Sequence, residues 1–169
     1  IQLKPYATPN YEVRNGVTYI TDNDVEYPLQ IFGAHNLQNL LAAKLMLNEI
    51  GVKDDEFYKA IGTFSGAAKR LERIAENESS IAYKDFAHSP SKLRATVSAV
   101  KEQYPDRKLI ACMELHTFSS LKKEFLPHYK DCMLKADEAI VYFSPQVVAH
   151  KKLEPITKEM VSKAFGTPN

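Results

Sequence analysis

The sequence has little of several features, and each shortage excludes a class of protein. Its 169 residues contain no tryptophan, six glycines and two cysteines. Two cysteines without CxxC spacing form neither a disulfide framework nor a zinc site, so we expect reduced thiols, with Cys112 buried in the apolar run LIACM. No apolar run approaches the roughly 18–20 residues that a bilayer span needs. We expect a cytoplasmic protein that does not insert into a membrane.

Charge and phosphate-binding loops are missing as well. The net charge of +1 provides no basic surface for nucleic acid. No stretch fits GxxxxGK[ST] or GxGxxG, so the phosphates of any bound nucleotide must be held elsewhere. The chain starts at Ile1 rather than methionine and ends abruptly in AFGTPN, and we interpret it as a piece of a longer protein. Its oligomeric state cannot be predicted.

Mixed β and α structure is predicted for residues 1–65. Asn15-Gly16 between two β-rich runs predicts a hairpin, because both central turn residues need positive φ. Pro28 favours an edge strand, and Gly51 favours the end of a helix. The predicted elements are strands at 11–14, 17–20 and 26–32, and helices at 35–50 and from about 54.

Alternating strands and helices are predicted for residues 66–169, after a small polar linker at 63–68. This alternation indicates an α/β unit with right-handed crossovers and a parallel sheet of about three strands. Ser89-Pro90 suits a helix start. The predicted elements are strands near 71–75, 80–84, 108–113 and 138–143, and helices at 90–103, 120–135 and 156–165.

Two groups of polar residues follow predicted strands. Asp85 and His88 follow one strand, and His116, Thr117 and Ser120 follow the next. Ligands of open α/β sheets bind at the carboxyl ends of strands, so we expect one shared site, although each group could be a capped turn. Their spacing matches no metal motif, and we predict no metal site.

Three further residue types suit a nucleotide. Asn36 and Asn39 share a helix face beside His35, and asparagine can both donate to and accept from a base or ribose. The guanidinium of Arg70 suits phosphate oxygens. Taken alone, the asparagines could equally be a self-capping first turn, and Arg70 a solvated charge.

Three motifs carry a family resemblance. GAHNLQNLLAA, FSGAAKRLE and YKDFAHSPS resemble segments of the Mur ligases, in that family's order and spacing. The resemblance covers roughly residues 10–145. It implies the hairpin and helical end of a central ATPase domain over 1–65, followed over 66–169 by a Rossmann-like, parallel-sheet C-terminal domain, truncated at its end.

The resemblance also implies roles. The family uses ATP and magnesium to join an amino acid or peptide to a UDP-linked muramyl carboxylate through an acyl phosphate, in cell-wall peptidoglycan metabolism, and UDP-N-acetylmuramate is the acceptor expected here. ATP would contact His35, Asn36, Asn39, Arg70 and Asp85, whereas most of its phosphate and metal contacts would come from outside this chain. His88 and Asp85 are the predicted catalytic residues. The amine substrate would contact His116, Thr117 and Ser120. This chain alone is expected to be inactive.

The amine substrate is open at this point. Alanine-adding members have arginines in a loop resembling PHRFTRT, where this chain has Thr117 and Ser120. The KRLE and DFAH spellings favour the recycling branch, which attaches the tripeptide L-alanyl-γ-D-glutamyl-meso-diaminopimelate, and alanine is the alternative. A non-catalytic nucleotide- or sugar-binding module is the alternative of another class.

Overall fold

The computed structural model describes residues 3–166. The chain forms two compact units, one of residues up to 85 with 102–105, the other of residues 86–101 with those from 106 onward. The predicted domain boundary between 65 and 66 falls inside the first unit and stays a prediction. The strands are β1 Tyr11–Arg14, β2 Val17–Asp22, β3 Val25–Leu29, β4 Glu72–Glu76, β5 Ile81–Lys84, β6 Ile110–Leu115 and β7 Glu138–Phe143. The helices are α1 Ala34–Glu49, α2 Asp54–Ile61, α3 Pro90–Gln103, α4 Pro145–His150 and α5 Lys158–Phe165.

An antiparallel meander, β1-β2-β3, begins the first unit. Asn15 (φ 51°) and Gly16 (φ 74°) make the β1–β2 turn, as the Asn-Gly pair predicts. Pro28 lies in β3, which is an edge strand, and an edge position tolerates its missing N–H. Helix α1 ends before Gly51 (φ 93°), also as predicted.

The meander packs on α1 and α2 around a buried apolar cluster. Lys44 of α1 is 8% exposed, and its ammonium donates to Asp54 at 2.7 Å and lies 3.5 Å from Asp22. The hydrogen bond from Lys44 lowers the pKa of Asp54. A buried cation is tolerated when carboxylates compensate it, so this trio ties β2, α1 and α2 together. The apolar cluster consists of Ile20, Leu29, Leu37, Leu40, Phe57 and Tyr58.

The strands β4 and β5 correct one prediction. They form a separate two-stranded antiparallel sheet, not part of a parallel one. Only 77–80 connect them, and a parallel crossover needs a dozen residues or more, so a hairpin is the connection that fits. Asn77 closes the turn by accepting hydrogen bonds from the backbone N–H groups of Ser79 and Ser80.

The strands β6 and β7 confirm the predicted parallel sheet in the second unit. They pair in register from Ile110 opposite Glu138 to Leu115 opposite Phe143. Leu93 and Val97 of α3 lie in the same buried cluster as Met113 and Leu115 of β6. An α/β fold is therefore confirmed, with its parallel part limited to two strands within residues 3–166.

The predicted helix over 120–135 is wrong. Successive turns replace it, with i→i+3 hydrogen bonds from Lys122 to Ser119 and from Phe125 to Lys122, and a 3₁₀ turn at Leu126–Tyr129. Pro127 lacks an N–H and obstructs a continuous α-helix there. The turns nevertheless bury Leu126 and Tyr129. Apolar residues at helical spacing are therefore buried here although no α-helix forms.

Cys112 corrects a third prediction, because it is exposed and Cys132 is the buried cysteine. Side chains alternate across a strand, so Cys112 shares a face of β6 with Ile110, which is 51% exposed. Met113 and Leu115 occupy the buried face instead. Within residues 3–166, no helix has the length and apolarity to cross a membrane.

Candidate functional site

His35 stands at the start of α1 and is electrostatically coupled to two other predicted residues. Burial lowers the pKa of His35, the carboxylate of Asp85 opposes this, and the charge of Arg70 adds to it. Arg70 and Asp85 are 35 and 50 residues away from His35 in sequence, yet the charges of both affect its imidazole. Three of the five predicted nucleotide residues are thus electrostatically linked, at a histidine whose neutral form is favoured.

Asp85 also stabilises the backbone just before β4, at Leu71. Its Oδ2 accepts a hydrogen bond of 2.8 Å from the N–H of Leu71. Leu71 (φ 47°) and Lys69 (φ 59°) are non-glycine residues in the left-handed region, a conformation that must be stabilised by its surroundings. The carboxylate therefore has a structural contact in addition to any contact with a ligand.

Asn36 and Asn39 lie on one face of the first turns of α1. The amide of Asn36 donates to the carbonyl of Phe32 at 2.9 Å, so this donor is used in closing the helix start. Asn39 is exposed. Of the two, Asn39 is the more accessible to a nucleotide, and both nucleotide-contact roles stay predictions.

In the second unit, His88 and His116 come together around Phe86. The two imidazole centroids are 6.4 Å apart, and the ring of Phe86 lies 5.0 Å from His88 and 6.1 Å from His116. Each histidine belongs to the segment after a different strand. These strands, β5 and β6, belong to different sheets, so the expected pair of neighbouring strand ends in one parallel sheet is wrong, although the two histidines do meet. Their shared role stays a prediction.

Both histidines are oriented in the same way. The Nδ1 of His88 lies 3.0 Å from the carbonyl of Phe86, and the Nδ1 of His116 lies 3.2 Å from the carbonyl of Glu114. A carbonyl can only accept, so each Nδ1 carries the proton. The Nε2 atoms have no hydrogen-bond partner within residues 3–166, which leaves them for a ligand.

Thr117 and Ser120 are joined by several hydrogen bonds, and the Thr117 hydroxyl also lies 3.3 Å from the hydroxyl of Ser119. The hydroxyl of Thr117 donates to that of Ser120 at 2.9 Å, and the backbone N–H of each residue donates to the hydroxyl of the other at 3.0–3.1 Å. Ser120 is 1% exposed. Their hydroxyls thus shape the loop that carries His116, and a direct substrate contact by Ser120 would require that loop to open.

Two residues of this region were missed from sequence. Tyr129 is fully buried, and its hydroxyl donates to the carbonyl of His88 at 2.5 Å. Burial raises the pKa of Tyr129 to about 12, so the hydroxyl keeps its proton. Phe86 lies in the motif YKDFAHSPS, but no role was predicted for it. For Tyr129 the available sequence signal was the nearby Pro127, which disfavours the helix predicted over 120–135.

Two further observations limit the site. A cleft of about 740 Å³ in the first unit is lined by residues such as Phe32, Tyr83 and Tyr104, and by none of the predicted site residues.

Within residues 3–166, no group of three His, Cys, Asp or Glu side chains could hold a metal ion. We therefore assign no magnesium ligand to these residues.

Comparison with known proteins gives consistent relatives. No protein-family model matches the chain. A UDP-N-acetylmuramate–L-alanine ligase of Desulfitobacterium hafniense (strain Y51) is 32% identical over 116 residues, covering 69% of this chain and 26% of that protein. An enzyme of the same name from Flavobacterium johnsoniae is 29% identical over 97% of this chain and 37% of that protein. The chain thus spans about a quarter to a third of these relatives.

Solved structures share the fold at low identity. A UDP-N-acetylmuramate–alanine ligase of Thermotoga maritima matches with a TM-score of 0.65 and 18% identity, over 85% of this chain and 34% of that one. Folylpolyglutamate synthase of Mycobacterium tuberculosis, solved with ADP and AMPPCP, matches with a TM-score of 0.63 and 15% identity, over 95% of this chain and 36% of that one. These likenesses concern the fold alone.

Proposed function

The chain belongs to the Mur ligase family, and from this we propose that the protein carrying it is an ATP-dependent amide-forming ligase of peptidoglycan metabolism. The observation that carries the proposal is the run of relatives with one activity name, one of them matched over 97% of the chain. The convergence of His88 and His116, which follow two successive strands of the chain, supports it, because a ligase needs proton and phosphate contacts at one place.

The proposed substrates are ATP, UDP-N-acetylmuramate and L-alanine. The sequence favoured the recycling tripeptide, and that prediction is not confirmed, since the relatives carry the alanine-ligase name. Thr117 and Ser120 still stand where the alanine-adding loop has arginines, so alanine would need another cation for its carboxylate.

We assign the two histidine groups different tasks. His35 favours its neutral form, Asn39 lies four residues further along α1, and the charge of Arg70 affects His35. These three side chains suit the base, ribose and outer phosphate oxygens of ATP. His88 and His116, whose Nε2 atoms have no hydrogen-bond partner within residues 3–166, suit the transferring phosphoryl group and the attacking amine. ATP with magnesium would supply the phosphoryl group that activates the muramyl carboxylate.

The decisive test is an amide-formation assay on the full-length protein. Purified enzyme would receive ATP, magnesium and UDP-N-acetylmuramate, with either L-alanine or the tripeptide, and both ADP release and the joined product would be measured. We expect amine-dependent turnover with L-alanine. Turnover with the tripeptide alone would restore the sequence-based preference, and no product with either amine would overturn the ligase proposal.

The isolated chain is the matched control. It contains no GxxxxGK[ST] loop to hold ATP phosphates. We expect it to show no ATP turnover under the same conditions. Turnover by the isolated chain would contradict the proposal that this region works with a phosphate-binding loop located elsewhere in the protein.

A further inference from the structure

Tyr129 connects two segments of the second unit that are far apart in sequence. Its hydroxyl donates to the backbone carbonyl of His88 at 2.5 Å, across 41 residues of chain. Tyr129 ends a short 3₁₀ turn, Leu126–Tyr129, and is fully buried. A buried hydroxyl needs a hydrogen-bond partner, and here the partner belongs to the residue that carries a proposed reacting imidazole.

Aromatic packing fixes the direction of the Tyr129 hydroxyl. Its ring stacks on that of Phe165 in α5, with centroids 5.0 Å apart and planes 8° apart, and Phe125 packs edge-on at 5.9 Å. The N–H of Asp131 donates to the carbonyl of Phe165 at 3.1 Å, which holds this turn against the end of α5. Because close-packed interiors leave little room for movement, the hydroxyl stays directed at His88.

A second hydrogen bond joins the same two segments. The guanidinium of Arg94, in α3, donates to the carbonyl of Lys130 at 3.0 Å. The segment of His88 is therefore held at its own carbonyl and again in the helix that follows it.

The imidazole of His88 depends on this backbone for its location. Its Nδ1 lies 3.0 Å from the carbonyl of Phe86, so the ring is oriented relative to its own segment. The hydrogen bond from Tyr129 fixes where that segment lies. Because a misplacement of about 1 Å can cost a reacting group about a hundredfold in rate, a buried hydroxyl can affect the reaction through the backbone alone.

We propose that Tyr129 is a positioning residue for His88. It holds the backbone carbonyl of His88 so that the Nε2 of the imidazole meets the transferring phosphoryl group. The inference rests on the proposed ligase function, and it adds a buried residue that acts on the reaction without touching a substrate.

The test is a double-mutant cycle in the full-length protein, combining Tyr129→Phe with His88→Ala. Tyr129→Phe removes one oxygen and keeps the ring on Phe165. We expect kcat for amide formation to fall about tenfold, with KM for ATP and for the amine nearly unchanged, because no binding group is lost. With His88→Ala already present, Tyr129→Phe should not lower kcat further, because the group that it positions is gone.

Two other tyrosines provide matched controls. Tyr142→Phe changes a residue of the same unit that is 59% exposed, and it should leave both kcat and the thermal midpoint unchanged. Tyr83→Phe removes a hydroxyl that is hydrogen-bonded to Tyr104 at 2.7 Å. It should lower the thermal midpoint by a few degrees, as Tyr129→Phe does, while kcat stays intact.

Histidine NMR provides a readout that does not require turnover. Tyr129→Phe should shift the ring signals of His88 and leave those of His150, at the end of α4, in place. If Tyr129→Phe folds poorly, Arg94→Met removes the second hydrogen bond and should lower kcat less, and only while His88 is present.

Three results would overturn the positioning role alone: an unchanged kcat in Tyr129→Phe, an equal fall in kcat with and without His88, or unmoved His88 signals. An unaltered enzyme that joins no amine would overturn the proposed function, and the positioning role in that reaction would fall with it.

Discussion

The His35 group of the first unit and the His88–His116 pair of the second unit use histidine in opposite settings. His35 is half-buried, its pKa is lowered first by burial, and the neighbouring Asp85 carboxylate bonds to the backbone of Leu71. His88 and His116 are held through Nδ1 to carbonyls of their own segments, and their Nε2 atoms have no partner within residues 3–166.

We propose that this difference separates a recognition role for His35 from a reaction role for His88 and His116. A neutral, half-buried imidazole keeps one donor and one acceptor, which suits hydrogen bonding to a base or ribose. A fixed imidazole with an accessible Nε2 can exchange a proton with a ligand or donate to a phosphate. Mutations should therefore affect folding more in the first group and reaction rate more in the second.

The largest expected effect belongs to His88. In the full-length enzyme, His88→Ala should lower kcat about a hundredfold or more, the range for a lost proton-transfer group. Its thermal midpoint should stay near that of the unaltered protein, because the imidazole contacts mainly its own loop. Steady-state rates and thermal unfolding would be measured together.

The control for His88 is His150→Ala, an exposed histidine at the end of α4. It should leave kcat intact. A His88 variant with normal kcat and a lower thermal midpoint would show that this histidine only completes a turn, and the contrast between the two groups would fail.

Asp85 should show both kinds of effect, and two substitutions can divide them. Asp85→Ala removes the acceptor of the Leu71 N–H and should lower the free energy of unfolding by about 1–2 kcal/mol, with a higher KM for ATP. Asp85→Asn keeps an acceptor oxygen and removes the charge. It should retain most of the stability while still raising KM for ATP.

Denaturant unfolding and ATP kinetics on both Asp85 variants would test this division. An Asn variant with normal ATP kinetics would mean that the carboxylate has a structural role and does not contact ATP. The predicted ribose or phosphate contact would then be wrong.

The loop of His116 allows a closely matched pair of smaller changes. Ser120→Ala removes the acceptor of both the Thr117 N–H and the Thr117 hydroxyl, and it should cost about 1–2 kcal/mol of unfolding free energy. Ser119→Ala, one residue away and exposed, loses only a 3.3 Å contact with the Thr117 hydroxyl and should change it by less than about 0.5 kcal/mol. Equal effects in urea unfolding would contradict a structural role of the Ser120 hydroxyl.

Local signals predicted much of the fold. Asn15-Gly16, Gly51 and Pro90 each impose a backbone requirement on their own position, and the hairpin, the end of α1 and the start of α3 follow. The antiparallel pairing of β4 and β5 could also have been predicted, because four connecting residues are too few for a parallel crossover.

What sequence could not give depends on contacts between distant residues. The apolar spacing over 120–135 fits a helix and a run of turns equally well, and tertiary burial of Tyr129 and Leu126 decides for turns. Likewise, motifs grouped His35, Arg70 and Asp85 by resemblance, whereas their coupling arises from the fold. The hydrogen bonds that occupy Ser120 were invisible for the same reason.

The smallest expected effect is the titration of His35, which tests the comparison most directly. Its pKa in the folded protein should lie below the ordinary value near 6.5, so the folded state binds fewer protons than the unfolded state as pH falls. The stability that neutral His35 contributes is present above pH 6.5 and is lost as pH falls through its folded pKa. Histidine NMR titration should show Arg70→Gln raising this pKa and Asp85→Asn lowering it, because Arg70 repels the imidazolium and Asp85 attracts it. A His35 midpoint above 6.5, or one that neither substitution moves, would remove the electrostatic coupling that distinguishes this group from the His88–His116 pair.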